Sequence, residues 1–246
     1  MIHYHGGPIT PLNVAQSVWT ARHAFVSFQH PDQVAFAAEV CQSFALDNGA
    51  FSAWMSGKTP DWDAYADWCF EWGRHPGCDF AVIPDVVDGD EQSNDELLEW
   101  WDNQPISRCV VGVPVWHLHE SFERLQSLCQ SYRRVALGSS GAWSTVGTPE
   151  WWQRMGSAMD AVCDDDGIPP AKLHGLRMLN PTVFSQLPLA SADSTNVARN
   201  HARERSIYRL TEAMASLALV TRIESHASAP RWNRTFGTQQ NFDLVG

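Results

Sequence analysis

Short apolar segments alternate with longer segments of mixed polarity along most of the chain. Most of the short segments are continuously apolar and end at Gly, Asp, Asn, Ser or His, which is typical of strands buried on both faces of a parallel sheet. The pattern predicts eight strands, which are Ile2–His5, Ala24–Phe28, Ser43–Asp47, Asp79–Pro84, Cys109–Trp116, Arg134–Leu137, Lys172–Met178 and Leu189–Asp193.

The longer segments have apolar residues at helical spacing. Thr10-Pro11 and Thr148-Pro149 each place a capping residue before a proline that suits the first helical position. The predicted helices are Leu12–Arg22, Asp32–Cys41, Asp61–Trp72, Asn94–Trp101, Ser121–Tyr132, Thr148–Val162, Pro181–Gln186 and Asn196–Val220.

Eight strand–helix units without internal repeats predict an α/β protein, a single (β/α)8 TIM barrel domain over residues 1–246. It would have a long helix after the eighth strand and a C-terminal tail from about residue 221. An open, doubly wound sheet is the alternative. Neither GxGxxG nor GxxxxGKS/T occurs, which disfavours Rossmann and P-loop enzymes.

Composition supports a globular protein, with 44% hydrophobic and 18% charged residues. The chain contains no apolar stretch long enough to span a bilayer, so no membrane association is expected. Its first residues lack the basic and apolar regions of a signal peptide, and a cytoplasmic location is therefore expected. The six cysteines are scattered without a CxxC pair, which predicts reduced thiols rather than disulfides or a zinc knuckle.

Charge is unevenly distributed. The net charge of −11 disfavours a protein whose whole surface is basic and binds nucleic acid. The segment from Arg199 to Arg234, however, contains seven arginines and only three acids. This segment is either a solvated helix face followed by a polar tail or a surface that binds phosphates. The sequence leaves both interpretations open.

The ends of the predicted strands carry the candidate chemistry, because TIM barrels build their active sites there. The polar and aromatic residues at these ends are His5, Ser27, Asp47, Asn48, Asp85, Trp116, His117, Ser139, Ser140, Arg177 and Asp193. A buried carboxylate is costly unless it has a partner or a function, so three acids at three strand ends favour an active site. The structural alternative is that Asp47 forms a turn with Asn48 and Gly49, while the other acids cap loops or helices.

Histidines form two HxH patterns, His3 with His5 and His117 with His119. Together with Asp193 they suit a metal-dependent hydrolase of the amidohydrolase type, although hydrogen bonding by neutral imidazole is an equally good use. Trp116 and Trp143 follow strand ends and are candidates for stacking on a planar base or a sugar.

Five short motifs occur in a fixed order between residue 43 and about residue 200. They are Asp47-Asn48-Gly49-Ala50-Phe51, Asp85, Leu137-Gly138-Ser139-Ser140-Gly141, His174-Gly175-Leu176-Arg177 and Asp193-Ser194-Thr195. This ordered set resembles the tRNA-guanine transglycosylase superfamily, (β/α)8 barrels that exchange a guanine in nucleic acid for a 7-deazaguanine. The zinc-binding CxCxxC insertion and the RNA-binding accessory domain are missing. The chain is therefore most similar to the compact DNA-directed branch, the deazapurine-in-DNA transglycosylases of phages and bacterial genomic islands.

The resemblance implies a DNA-guanine transglycosylase that works through a covalent aspartyl-deoxyribose intermediate. Asp193 would be the nucleophile and Asp47 the acid/base. The predicted substrate-binding residues, from the motifs and the strand ends together, are Asn48, Gly49, Phe51, Asp85, Trp116, His117, Gly138, Ser139, Ser140, His174, Gly175 and Arg177, and those predicted to bind nucleic acid are Arg199 and Arg203. Neither a cofactor nor a metal is expected. The implied partners are DNA with a single-stranded or flipped-out guanine, a 7-deazaguanine base, and accessory DNA-modification proteins.

Two other functions remain open from the sequence. One is the metal-dependent hydrolase that uses His3, His5, His117 and Asp193. The other is a barrel that binds a base or nucleotide without turnover, since a fold alone does not fix a function.

Overall fold

Nine parallel strands form one continuous sheet in the computed structural model, which describes residues 1–200 and 210–234. The strands are β1 Ile2–Gly6, β2 His23–Ser27, β3 Ser43–Asp47, β4 Cys78–Val82, β5 Gly112–Val113, β6 Val115–His117, β7 Arg134–Gly138, β8 Lys172–Gly175 and β9 Leu189–Ser194. Their order in the sheet is β5-β4-β3-β2-β1-β9-β8-β7-β6.

Pro114 explains why the structure has nine strands where the sequence predicts eight. Proline has no amide hydrogen to give to a ladder, and the fifth predicted strand is interrupted there. Its first half, β5, pairs with β4, and its second half, β6, pairs with β7. The carbonyl of Pro114 still accepts a hydrogen bond from the Ala136 amide at 2.9 Å. The sheet therefore closes through this strand as an eight-stranded TIM barrel, and the open-sheet alternative is wrong.

Helices follow most of the strands around the barrel. They are α1 Leu12–Trp19, α2 Val34–Val40, α3 Ala50–Met55, α4 Trp62–Trp72, α5 Glu91–Asp102, α6 Phe122–Ser131, α7 Pro149–Val162, α8 Pro181–Phe184, α9, which is described over 196–200, and α10 Glu212–Glu224. Thr148 caps α7 as predicted, whereas α1 begins after Pro11 without a side-chain cap from Thr10. The sequence analysis missed α3, whose six residues directly follow the loop after β3.

The predicted helix Asn196–Val220 is not continuous. Leu210 and Thr211 are not helical, and the Thr211 hydroxyl accepts a hydrogen bond from the Met214 amide at 3.3 Å. Threonine is a favoured N-cap residue, so a new helix, α10, starts at Glu212 and continues to Glu224. The prediction of one long helix with a tail from about residue 221 is therefore wrong.

Side chains alternate between the inside of the barrel and the layer between barrel and helices. The inner group contains Tyr4, Phe25, Ala45, Phe80, Val82, Val113, Val115 and Ala136. These side chains fill the barrel, so the interior is a packed core. At its N-terminal end the Tyr4 hydroxyl donates to Asp79, whose carboxylate also accepts a bond from Arg134 at 3.0 Å. Among the described residues, these contacts cover the N-terminal end of the barrel interior.

The C-terminal part of the described chain packs back onto the helix layer. Trp232 is almost fully buried, and its indole donates to Asp160 of α7 at 2.7 Å. Its amide donates to the Gly167 carbonyl at 2.8 Å. No helix among residues 1–200 and 210–234 has the length and apolar character needed to cross a membrane.

Gly167→Ala should destabilise the protein far more than Gly57→Ala. Both glycines have left-handed backbones, with φ of 77° and 64°, so both variants carry about 1–2 kcal/mol of strain. A methyl group at Gly167 would also overlap the carbonyl oxygen of Trp232, whereas nothing lies within 4 Å at Gly57. Urea unfolding should show a loss of about 3 kcal/mol or more for the first variant and about 1 kcal/mol for the second. Equal losses would show that the Trp232 segment is not held in this position.

Candidate active site

A cavity of about 710 Å³ opens at the C-terminal ends of the barrel strands. Asp47 follows β3, Asp85 follows β4 and Asp193 lies near the end of β9, and all three line this cavity. They are distant in sequence and come together because parallel barrel strands all end at one rim.

The predicted site residues fall into two groups, according to whether they line this cavity. Those that line it are Asp47, Phe51, Asp85, His117, Gly138, Ser139, Arg177, Asp193 and Arg199. Those that lie behind its wall are Asn48, Gly49, Trp116, Ser140, His174 and Gly175. Arg203 lies outside the described residues.

Asp193 is held by the loop that follows β8. One carboxylate oxygen, Oδ1, accepts the Arg177 amide at 2.9 Å, and the Asp193 carbonyl accepts the Leu179 amide at 2.9 Å. Arg177 has a φ of 61°, an unfavourable backbone conformation for a residue with a side chain, and such strain is often found at functional sites. Within residues 1–200 and 210–234, Oδ2 of Asp193 has no hydrogen-bond partner. The carboxylate is thus fixed through one oxygen and leaves the other for a ligand.

The surroundings of Asp47 shift the pKa of its carboxyl group. Burial and then the negative charge of Asp193 raise the pKa of Asp47 from 3.8 to about 7. Hydrogen bonds from the Ser27 hydroxyl and the Gly49 amide oppose this rise. Gly49 has a φ of 72° and forms the N-cap of α3, which brings its amide next to the carboxyl group. Near neutral pH, Asp47 can therefore both donate and accept a proton.

Asp85 is oriented by two neighbours. Asn48 donates to Oδ1 of Asp85 at 2.7 Å and also to the Ile83 carbonyl at 2.8 Å. His117 Nε2 lies 2.9 Å from Oδ2, so this nitrogen donates when the carboxylate is ionised. A Cβ at Gly138 would lie 2.8 Å from His117 Nδ1, which explains why glycine is needed beside this ring. Each oxygen of Asp85 retains a lone pair for a ligand.

Phe51 and Arg177 form one aromatic and cationic side of the cavity. The guanidinium carbon of Arg177 lies 3.7 Å from the centroid of the Phe51 ring, and Nη2 donates to the Ser139 carbonyl at 2.6 Å. Burial lowers the pKa of Arg177, the nearby positive charge of Arg199 lowers it further, and Asp193 opposes both effects.

The predicted stacking role of Trp116 is wrong. Its side chain is fully buried in the layer between barrel and helices, where the indole donates to the Ser121 carbonyl at 2.9 Å. Trp143 also packs in this layer, with the Arg154 guanidinium 5.2 Å from its ring centroid. Neither tryptophan lines the cavity.

Ser140 and Gly175 were predicted to contact the substrate. In the structure they lie behind the cavity wall and contact other parts of the protein. Ser140 holds His119, whose other ring nitrogen bonds the Gly89 carbonyl at 2.8 Å. A Cβ at Gly175 would lie 2.9 Å from both Leu189 and Met178, so this glycine serves close packing.

His174 lies beneath the cavity inside the barrel. Its ring packs among Tyr4, Phe25 and Phe80, and Nδ1 bonds the Ser191 hydroxyl at 2.9 Å. Its Nε2 lies 3.4 Å from Oδ1 of Asp193 without forming a hydrogen bond. His174 is thus below the nucleophile candidate rather than beside a substrate.

The histidine set of the hydrolase alternative does not converge. Because Tyr4 points into the barrel, its neighbours His3 and His5 point outward. His3 bonds the His226 carbonyl at 3.1 Å, and His5 bonds Glu224 of α10 at 3.0 Å. Within the described ranges, no three His, Cys, Asp or Glu side chains are arranged to hold a metal ion.

The sequence analysis missed several residues of the cavity wall. They include Gly6, Gly7, Pro8, Phe25, Ser52, Val87, Val146, Asn180, Asn196 and Asn200. Gly6, Gly7 and Pro8 lie at or just after the end of β1, which could have indicated them, whereas Phe25, Val146 and Asn200 have no such position.

Comparisons with known proteins support the fold and go no further. No protein-family model matches the chain, and no curated protein matches it significantly. A mutant tryptophan synthase α-subunit from the hyperthermophile Pyrococcus furiosus is similar in structure, with a TM-score of 0.50 and 13% identity over 91% of this chain and 96% of that chain. Another mutant of that subunit has a TM-score of 0.48 and 12% identity over 91% and 95% of the two chains. At such low identity, the first match shows a shared TIM barrel alone.

Asp47→Asn should stabilise the folded protein at high pH but not at low pH. The folded chain holds the Asp47 proton more tightly than the unfolded chain does, so stability present below about pH 4 is lost as the pH rises through about 7. Asparagine has no carboxyl group to ionise, so the variant does not lose this stability as the pH rises. Urea unfolding should give the variant an advantage on the order of 4 kcal/mol that grows from about pH 4 and levels off above about pH 7.

Asp67→Asn is the matched control, because it removes an exposed carboxylate of α4 outside the cavity. The difference in unfolding free energy between Asp47→Asn and wild type should change with pH. If that difference is the same at every pH, the Asp47 carboxyl group is not in the environment described above.

Proposed function

We propose that the chain is a DNA-guanine transglycosylase that exchanges guanine in DNA for a 7-deazaguanine. The observation that carries the proposal is that Asp47, Asp85 and Asp193 line one cavity at the barrel rim. The resemblance of the ordered motifs to the transglycosylase superfamily supplies the roles, and the contacts of each acid suit the role it is given.

The proposed reaction starts at the sugar. Asp193 attacks C1′ of the nucleotide with Oδ2, the bond from C1′ to N9 breaks, and guanine leaves with the bonding electrons. Asp47 gives its proton to the departing base, which its raised pKa favours near neutral pH. An oxocarbenium-like transition state is stabilised by the carboxylate beneath it.

The second half of the reaction restores the glycosidic bond. N9 of the incoming 7-deazaguanine attacks C1′ of the covalent intermediate, and the bond from C1′ to Asp193 breaks with its electrons returning to the carboxylate. Asp47 accepts the N9 proton. A protonated acid and an ionised nucleophile in one site are the division of roles used by retaining glycosidases.

Asp85 would select the base. Guanine and its 7-deaza analogues both present N–H donors at N1 and at the exocyclic amine, and Asp85 has a free lone pair on each oxygen. The contacts from Asn48 and His117 fix the carboxylate before the base arrives. Phe51 offers an aromatic face in the same cavity.

The cavity takes a base that is out of the duplex stack. A guanine in single-stranded DNA, or one flipped out of a duplex, can reach the strand ends, whereas a stacked base cannot. Arg199 and the further arginines of its segment would contact DNA phosphates, and accessory DNA-modification proteins would be further partners. A cytoplasmic location is compatible with this function.

A barrel that only binds a base would retain this cavity but exchange nothing, so the decisive assay measures turnover. Wild-type protein incubated with single-stranded DNA and isotopically labelled guanine should place label in deoxyguanosine after nucleoside analysis. Asp193→Asn should reduce this exchange by at least ~1,000-fold, because it removes the nucleophile. Asp67→Asn should leave the rate unchanged, since that residue is exposed and lies outside the cavity.

Exchange that survives in Asp193→Asn at the wild-type rate would remove the assignment of the nucleophile. Absence of exchange in the wild type, with guanine and with 7-deazaguanines, would overturn the proposed function.

A further inference from the structure

His174 is fully buried inside the barrel, yet one of its ring nitrogens has no hydrogen bond. The ring packs among three aromatic side chains of the barrel interior, and Nδ1 bonds the Ser191 hydroxyl at 2.9 Å. Nε2 has no hydrogen-bond partner among the residues that the structure describes. Because a buried polar atom without a hydrogen bond is costly, Nε2 calls for an explanation.

The unbonded nitrogen of His174 lies next to the nucleophile candidate. Nε2 is 3.4 Å from Oδ1 of Asp193, somewhat longer than an ordinary N–H···O bond of about 2.9 Å. Oδ1 is also the oxygen that accepts the Arg177 amide at 2.9 Å. Both nitrogens therefore act on the same oxygen of the carboxylate.

The carboxylate of Asp193 determines which ring nitrogen of His174 carries the proton. A neutral imidazole has one N–H group and one bare nitrogen with a lone pair. A lone pair on Nε2 would be repelled by the carboxylate, whereas an N–H group at the same place is attracted to it. The Ser191 hydroxyl can donate to a bare Nδ1. The neighbours on both sides of the ring thus favour the tautomer with its proton on Nε2.

We propose that His174 is a positioning residue that donates from Nε2 to Oδ1 of Asp193 and so holds the negative charge of the carboxylate on that oxygen. The inference rests on the proposed function for the reaction of Asp193. A shortening of the separation by about 0.5 Å gives an ordinary hydrogen bond. Oδ1 then has two donors, one from the main chain and one from a side chain, as an oxyanion has in enzymes of acyl transfer.

The contact matters most in the second half of the proposed reaction. In the covalent intermediate, Asp193 is an uncharged ester that is bonded to C1′ through Oδ2. When N9 of the incoming base attacks C1′, the bond from C1′ to Oδ2 breaks, its electron pair returns to the carboxylate, and Asp47 accepts the N9 proton. A hydrogen bond to a charged oxygen is stronger than one to a neutral oxygen, so the bond from His174 strengthens as the charge returns. His174 thereby lowers the barrier to release of Asp193 and keeps the intermediate from accumulating.

Histidine-selective ¹⁵N NMR tests the contact without any reaction. Bare and protonated ring nitrogens give separate resonances, and the signals of His174 are the ones that disappear in His174→Gln. Nε2 of His174 should be protonated in the wild type, and Asp193→Asn should shift its resonance. Asp85→Asn is the matched control, because it changes another carboxyl group of the same cavity, one that contacts His117. It should shift the signals of His117 far more than those of His174.

The kinetic test follows the covalent intermediate in wild type, His174→Leu and His174→Gln. Each protein is incubated with single-stranded DNA, and decay of the adduct is timed after excess guanine is added. Leucine removes the donor, so decay should slow at least ~10-fold, the factor expected for one hydrogen bond to a charged group, and adduct should accumulate. Glutamine can direct its N–H toward Asp193 and its carbonyl toward Ser191, so decay should stay close to the wild-type rate.

A role of His174 in packing alone predicts a different result. Adduct formation and exchange would then fall together, and the leucine and glutamine variants would be affected alike. That pattern contradicts the inference, as does decay of the adduct at the wild-type rate in His174→Leu. Urea unfolding shows whether both variants are folded, and if either is not, the NMR measurement on wild type and Asp193→Asn decides.

The NMR result separates this inference from the proposed function. A bare Nε2, or a His174 resonance that does not respond to Asp193→Asn, refutes the inference whatever the exchange assay shows. If the wild type neither exchanges guanine nor forms an adduct, the proposed function fails. A protonated Nε2 that responds to Asp193→Asn supports the contact between the two side chains even then.

Discussion

A carboxyl group that is buried beside a second carboxylate is harder to ionise than one in water. This constraint governs the site at the barrel rim, where burial and the charge of Asp193 raise the pKa of Asp47. The amide of Arg177 meanwhile stabilises the carboxylate of Asp193. One group is thus suited to carry a proton and the other a negative charge. The rest of the proposed chemistry depends on this division.

The fold brings the proton-carrying acid and the charged acid to one cavity although they are distant in the sequence. Asp47 and Asp193 are 146 positions apart by their numbers, and the barrel brings them together because β3 and β9 end at the same rim. The packed core beneath them, with Tyr4 and Phe25 facing inward, closes the other end. A ligand at the rim therefore meets the acids together with Phe51 and Arg177, which line the same cavity.

Much of this arrangement could be predicted from the sequence. Strands buried on both faces are apolar throughout, so the polar residue at each strand end stands out, and this identified the acids. The face that a strand residue occupies could not be read from the same pattern. Trp116 and His117 were both predicted to contact substrate, yet neighbours on a strand point to opposite faces, and His117 is the one that lines the cavity. The same alternation turns His3 and His5 outward.

The most direct test of the account is to find where the covalent intermediate forms. Single-stranded DNA is incubated with the protein, the reaction is quenched in denaturant, and the protein is digested and mapped by mass spectrometry. The account predicts a deoxyribose adduct on the peptide that contains Asp193, and no adduct in Asp193→Asn. An adduct on Asp47, or exchange of guanine without any adduct, would contradict it.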